Sequence, residues 1–188
     1  MTISNKSLFV IGQIEGYSKE FSTLVSMMNY TRSTTIRAVQ DLSVEALDFR
    51  INGTGNSIGM LLAHFVAVEK FYQFLTIEGK DLPDEEIERY AVTLQPAIDL
   101  GESATVINGN TAEFYLEDMR KTREKTLEHF RTLPDSWLYE TTPWWENELS
   151  NHYFKWFHVF EDELSHRGQI RLIKKQYELF KAASASGI

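Results

Sequence analysis

Residues 160–173, FEDELSHRGQIRLI, read as the middle of a long helix that sets Asp162 and His166 one turn apart. At 100° per residue, His158, Asp162, His166 and Gln169 fall within about 80° of one another, on a single stripe. The opposite side of the second half carries Arg167, Arg171, Lys174 and Glu178, a solvated face. The stripe with Asp162 and His166 is therefore expected to face inward. Val159, Ile170 and Ile173 flank it on one side, Phe154 and Leu172 on the other.

This helix is expected from about Ser150 to Phe180, and three further segments share its periodicity. The first runs from about Tyr17 to Asp41 through Phe21, Leu24, Val25, Met28, Ile36 and Val39. The second follows Gly53–Ser57, with Asn56 or Ser57 as N-cap, and passes through Ile58, Leu61, His64, Val68, Phe71 and Leu75. The third begins near Asn110 or Thr111 and ends at Leu133-Pro134. No segment shows sustained strand alternation, so the expected class is all-α. About 30 residues connect the second and third helices, with LPDEEIERY (82–90) as a short helix, well beyond the 2–8 residues of a helical hairpin. Such a crossover suits a four-helix bundle whose middle helices run parallel, up-down-down-up. We expect one domain over 1–188, with its core at about 17–180 and a disordered tail at 181–188.

Two short echoes link the halves of the chain. TRSTTI (31–36) resembles TREKTL (122–127), and the spacing of His64 to Glu69 repeats that of His158 to Glu163.

A net charge of -8 and the absence of a clustered basic patch beyond the end of the fourth helix argue against nucleic-acid partners, which are held mainly by Lys and Arg. Without cysteine there is no disulfide, thiol nucleophile or cysteine metal site. SLFVIG (7–12) is too short for a signal segment, and no run is read as a membrane span, so a cytoplasmic protein without membrane partners is expected.

Turning the second helix in the same way puts His64 among Met60, Leu61, Ala67, Val68, Phe71 and Leu75, with Glu69 and Gln73 on the far side. Burying imidazoles and a carboxylate costs several kcal/mol unless each finds a partner. Two readings remain open: the inward groups satisfy one another, or His64, Asp162 and His166 hold a divalent metal, as ligands from facing helices do in bundle cores. Arg32 and Arg123 lie within apolar stripes. They snorkel, pair with Asp162, Glu69 or Glu161, or bind an anion. PWWENE (143–148) reads as a loop covering the core or contacting a second copy. Trp156, Phe157, Phe160 and Leu164 add apolar width outside the ligand stripe, which points to a homodimer.

NSIGMLLAHFVAVEKFY (56–72), together with WFHVFEDELSHRGQIRLI (156–173), resembles the DinB-like superfamily, which includes the YfiT-like proteins. The resemblance spans about residues 17–176. It implies an up-down-down-up bundle, frequent homodimers, and a divalent metal held by one histidine of helix two and two of helix four. By position, His64 and His166 match two ligands, while Asp162 stands where the third is usually histidine. That set suits zinc, nickel or iron(II). His158, Gln169 and Glu163 are candidates for the surroundings of the ligands, His158 also as a substitute ligand; the catalytic residues are left unassigned. Some relatives are S-transferases or isomerases that use bacillithiol or mycothiol, and others are described as metal-dependent hydrolases. The expected partner is a small-molecule substrate, with a low-molecular-weight thiol among the candidates. The other class of reading is a metal-free, non-enzymatic binding or dimerisation bundle.

Overall fold

The computed structural model describes residues 8–78, 83–144 and 148–186. Six helices account for most of it: α1 (Lys19–Val39), α2 (Val44–Asp48), α3 (Ile58–Gln73), α4 (Asp84–Asp99), α5 (Ala112–Phe130) and α6 (His152–Ser186). β1 (Thr141–Pro143) and β2 (Leu149–Asn151) form a small antiparallel pair between α5 and α6. The helix starts follow from their caps. The Ser57 hydroxyl accepts from the Met60 N–H, and the Thr111 hydroxyl from the Phe114 N–H, each satisfying one of the donors left over in a first turn.

Contacts along the helices fix their directions. Arg32 reaches Glu163 and Lys174 reaches the Ala38 carbonyl, so α1 and α6 run parallel. His64 meets His166 while Tyr72 meets Trp156, so α3 runs against α6. Gly59 lies beside Tyr115 and Gln73 beside Thr126, so α3 and α5 are parallel. The order is up-down-down-up, as expected. The crossover helix α4 is longer than the short helix expected at 82–90, and α6 continues to Ser186, into the tail expected to be disordered.

The core has two apolar clusters with a charged layer between them. One gathers Phe21, Leu24, Met28, Tyr72, Phe130 and Trp156; the other gathers Ile58, Leu61, Phe65, Tyr115, Met119 and Ile170. In the layer, Glu69 accepts from Arg123 Nε at 2.7 Å, Arg32 Nη2 at 3.0 Å and the Thr126 hydroxyl at 2.7 Å. Glu163 accepts from Arg32 Nε at 3.1 Å and faces Arg123 Nη2 at 3.9 Å. The two arginines also reach backbone carbonyls in the middle of each other's helices: Arg32 Nη1 donates to the Met119 carbonyl at 2.9 Å and Arg123 Nη1 to the Met28 carbonyl at 3.2 Å. Burial pushes the Glu69 carboxyl up, but Arg123 and Arg32 outweigh it and hold it below the ordinary carboxylate range.

These contacts correct several expectations. Glu69 and Gln73, assigned to the far side of the second helix, are 0% and 1% exposed, while Phe71 and Leu75, assigned inward, are both 39% exposed. Arg32 and Arg123 pair with Glu69, one of the expected partners, and with Glu163, which was not among them, rather than with Asp162 or Glu161. Trp156 and Phe160 pack into the protein's own core, so of the four residues behind the dimer expectation only Phe157 and Leu164 remain partly exposed. Ile58–Glu78 is long and apolar enough to span a membrane by composition, which the sequence reading missed; 72% of its most apolar window is buried within the bundle. Of PWWENE, Trp144 stacks on Tyr72 with ring centroids 5.7 Å apart, and residues 145–147 lie outside the described residues.

Candidate metal site

α3 and α6 cross-face one another along their length, and near the Phe65 level they bring together His64, Asp162 and His166. One ligand-type atom from each lies within 4.8 Å of the others. His64 Nε2 is 3.2 Å from Asp162 Oδ2, and His166 Nε2 is 3.4 Å from Asp162 Oδ1. The two imidazoles meet edge to face, 5.0 Å between centroids.

The inward axis of α6 differs from the expected one. Trp156, Val159, Glu163 and Ile170 point to the centre, about 80° round from the ligand stripe. Asp162 and His166 therefore sit at the margin of the buried face, mostly covered, where they meet α3. Gln169, Phe154 and Leu172, expected inward or flanking, are exposed. Gln169 nevertheless lies near enough to His166 to favour its protonated form.

His64 is oriented from behind. Its Nδ1 is 2.8 Å from the carbonyl oxygen of Ala97, in the last turn of α4. A carbonyl only accepts, so Nδ1 carries the proton and Nε2 turns toward Asp162. In neutral His64, Nε2 and Asp162 Oδ2 are then two acceptors facing each other, a pair that requires a proton or a cation between them. Asp162 Oδ2 and His166 Nδ1 are both buried without an aligned hydrogen-bond partner among the described residues. Burial opposes ionisation of Asp162, but the neighbouring His166 and His64 outweigh it and hold its carboxyl well below the ordinary range. The same Asp162 bond raises His166, against the opposing effect of burial. Two imidazoles and an anionic carboxylate with unsatisfied lone pairs suit a divalent ion of borderline softness.

The other candidates lie apart from this group. His158 sits one turn earlier on α6, its side chain 38% exposed, with Nδ1 3.2 Å from Glu161 Oε2. Its ring meets Tyr72 at 6.0 Å and stacks on Phe154 at 6.4 Å, with Trp144 at 6.5 Å. Tyr72 keeps its proton to well above the ordinary phenol range because it is buried and faces the Asp162 charge. Glu163, expected near the ligands, is committed to Arg32 in the core. The sequence reading missed the Ala97 carbonyl. Its signal was present: Ile87, Tyr90, Leu94 and Ile98 keep helical spacing up to Leu100-Gly101, marking a helix that reaches the site.

A family model described as mycothiol-S-transferase matches residues 23–178, which include all three residues of the site. A comparison with curated proteins found no match.

Proposed function

The chain belongs to the mycothiol-S-transferase family, within the DinB-like superfamily, and from that premise we propose that it joins a low-molecular-weight thiol, through its sulfur and with loss of the thiol proton, to a small electrophile whose leaving group departs, at a metal held by His64, Asp162 and His166. The observation that carries this reading is the convergence of the three ligand-type atoms within 4.8 Å, with His64 oriented by Ala97. A divalent ion there supplies Lewis acidity, lowering the pKa of a thiol or water presented to it. Asp162 contributes the only anion of the set, so a dication leaves the site with one net positive charge, favourable to a thiolate. His166 must give up the proton that Asp162 favours before its nitrogen can act as a ligand. Tyr72 stays protonated at neutral pH and offers a donor close to Asp162. The rings of Tyr72, Trp144, Phe154 and His158 provide an apolar wall one turn away for the electrophile. Zinc, nickel and iron(II) all suit the donor set. Phe157 and Leu164 provide exposed apolar surface for a homodimer, which light scattering of the purified protein would test.

The direct experiment measures metal content after dialysis and conjugation of mycothiol to an aryl halide. Stoichiometric metal and a conjugation rate lost in His64→Ala support the proposal. Absence of bound metal, or an equal rate in His64→Ala, overturns it. Ester hydrolysis by the metal-loaded protein without thiol would favour the hydrolase reading instead.

A further inference from the structure

We propose that the groove between α1 and the middle of α6 is a binding site for a compact polyanion, a phosphate ester or a polycarboxylate, separate from the metal site. The groove has a volume of about 690 Å³ and is lined by Arg37, Arg171, Lys174, Lys175 and Glu178, beside Thr34. Its ionisable groups sum to three positive charges in a chain whose net charge is -8. Acidic residues outnumber basic ones in this chain, 27 to 19, so a cation has more potential partners than a carboxylate has. None of the four cations nevertheless forms an ion pair among the described residues.

Two of them are held by backbone contacts that do not neutralise them. Lys174 Nζ donates to the Ala38 carbonyl at 3.3 Å, and Arg37 Nε to the Ser33 carbonyl at 3.3 Å. Arg167, one turn before Arg171, is tied to Thr34 and the Thr31 carbonyl.

Size and charge distribution select the ligand. A guanidinium fork with two ammonium groups matches the oxygens of a phosphate or carboxylate, and the volume is that of a small-molecule site. An extended polyanion such as nucleic acid, or an anionic membrane, would also meet the acidic remainder of the surface and be repelled. Nothing in this inference depends on the metal.

Amide NMR titrations with inorganic pyrophosphate and with citrate test it. Saturable shifts confined to residues 33–39 and 167–178 are expected with at least one probe, and the stronger of the two identifies phosphate or carboxylate as the ligand chemistry. Binding should weaken at least tenfold in Arg171→Gln/Lys175→Gln, persist in His64→Ala, and be unchanged in Lys121→Gln on α5. Circular dichroism melts of the double variant should match the wild type, since no ion pair is lost. Shifts that fail to saturate with both probes, equal binding by the double variant, or binding only to phosphatidylserine vesicles or duplex DNA would each overturn the proposal.

Discussion

His64 donates from Nδ1 to the carbonyl of Ala97 at 2.8 Å, so a histidine of the candidate metal site caps the C-terminal turn of the crossover helix. The last carbonyls of a helix lack intrahelical donors, and this bond supplies one of them. α4 has no buried residue of its own, so its seating depends on such contacts. Zinc or nickel should therefore slow amide exchange in α4 as well as in α3 and α6. In His64→Ala the α4 amides should exchange faster whether or not metal is added. Hydrogen exchange with mass spectrometry reads both, and protection of α4 that ignores the His64 substitution would separate the helix from the site.

A bound ion raises stability by mass action, about 2.7 kcal/mol at free metal 100 times the dissociation constant. Asp162→Asn should abolish most of that gain, and Asp162→His should keep it. Affinity should also fall as pH drops through the raised His166 pKa, because the ion competes with that proton. Thermal melts with and without chelator measure the gain. An unchanged metal shift in Asp162→Asn would remove Asp162 from the ligand set.

Glu69→Gln should cost about 3–5 kcal/mol, because it leaves two buried guanidiniums short of one carboxylate. The sign with pH follows from the Glu69 carboxyl being held below its unfolded value of about 4.3. Its contribution is complete above that pH and is lost as pH falls through the folded value. Urea titrations from pH 7 to pH 3 should show the wild type and the variant converging at the acid end. A constant gap would assign the cost to packing.

Gly59→Ala should destabilise by about 1–3 kcal/mol, despite the better helix propensity of alanine. An added Cβ would lie 2.6 Å from the Tyr115 hydroxyl oxygen and 3.0 Å from Cζ. Tyr115 is buried and bonded to Asn110, so it has little room to yield. Gly59→Ala with Tyr115→Phe should recover part of the loss in the same denaturation assay.

The sequence yielded the bundle, its topology and the His64, Asp162 and His166 group, because those residues keep helical spacing on helices with clear caps. The inward face of α6 was misplaced by about 80° because the buried Glu163 and the exposed Leu172 invert the usual polarity. α3 defeats periodicity more thoroughly. Packed by α5 and α6 and crossed by α4, it has little solvated face, so a carboxylate such as Glu69 cannot be assigned to water from its spacing. Arg32, Arg123 and Thr126 on other helices make its burial possible. The two echoes in the sequence marked this layer without identifying it: TRSTTI and TREKTL contain Arg32 and Arg123, and the repeated spacings end at Glu69 and Glu163.

The charged layer also constrains the route to the native state. Arg32, Glu69, Arg123 and Glu163 come from four different helices, so the set of pairs is complete only when all four helices have met. A half-assembled bundle that dried one pair early would strand charge in an apolar interior, so hydration of this layer persists until the helices close together. Substitutions there should then fall mainly on the unfolding rate rather than the folding rate, as expected of a late latch rather than a nucleus.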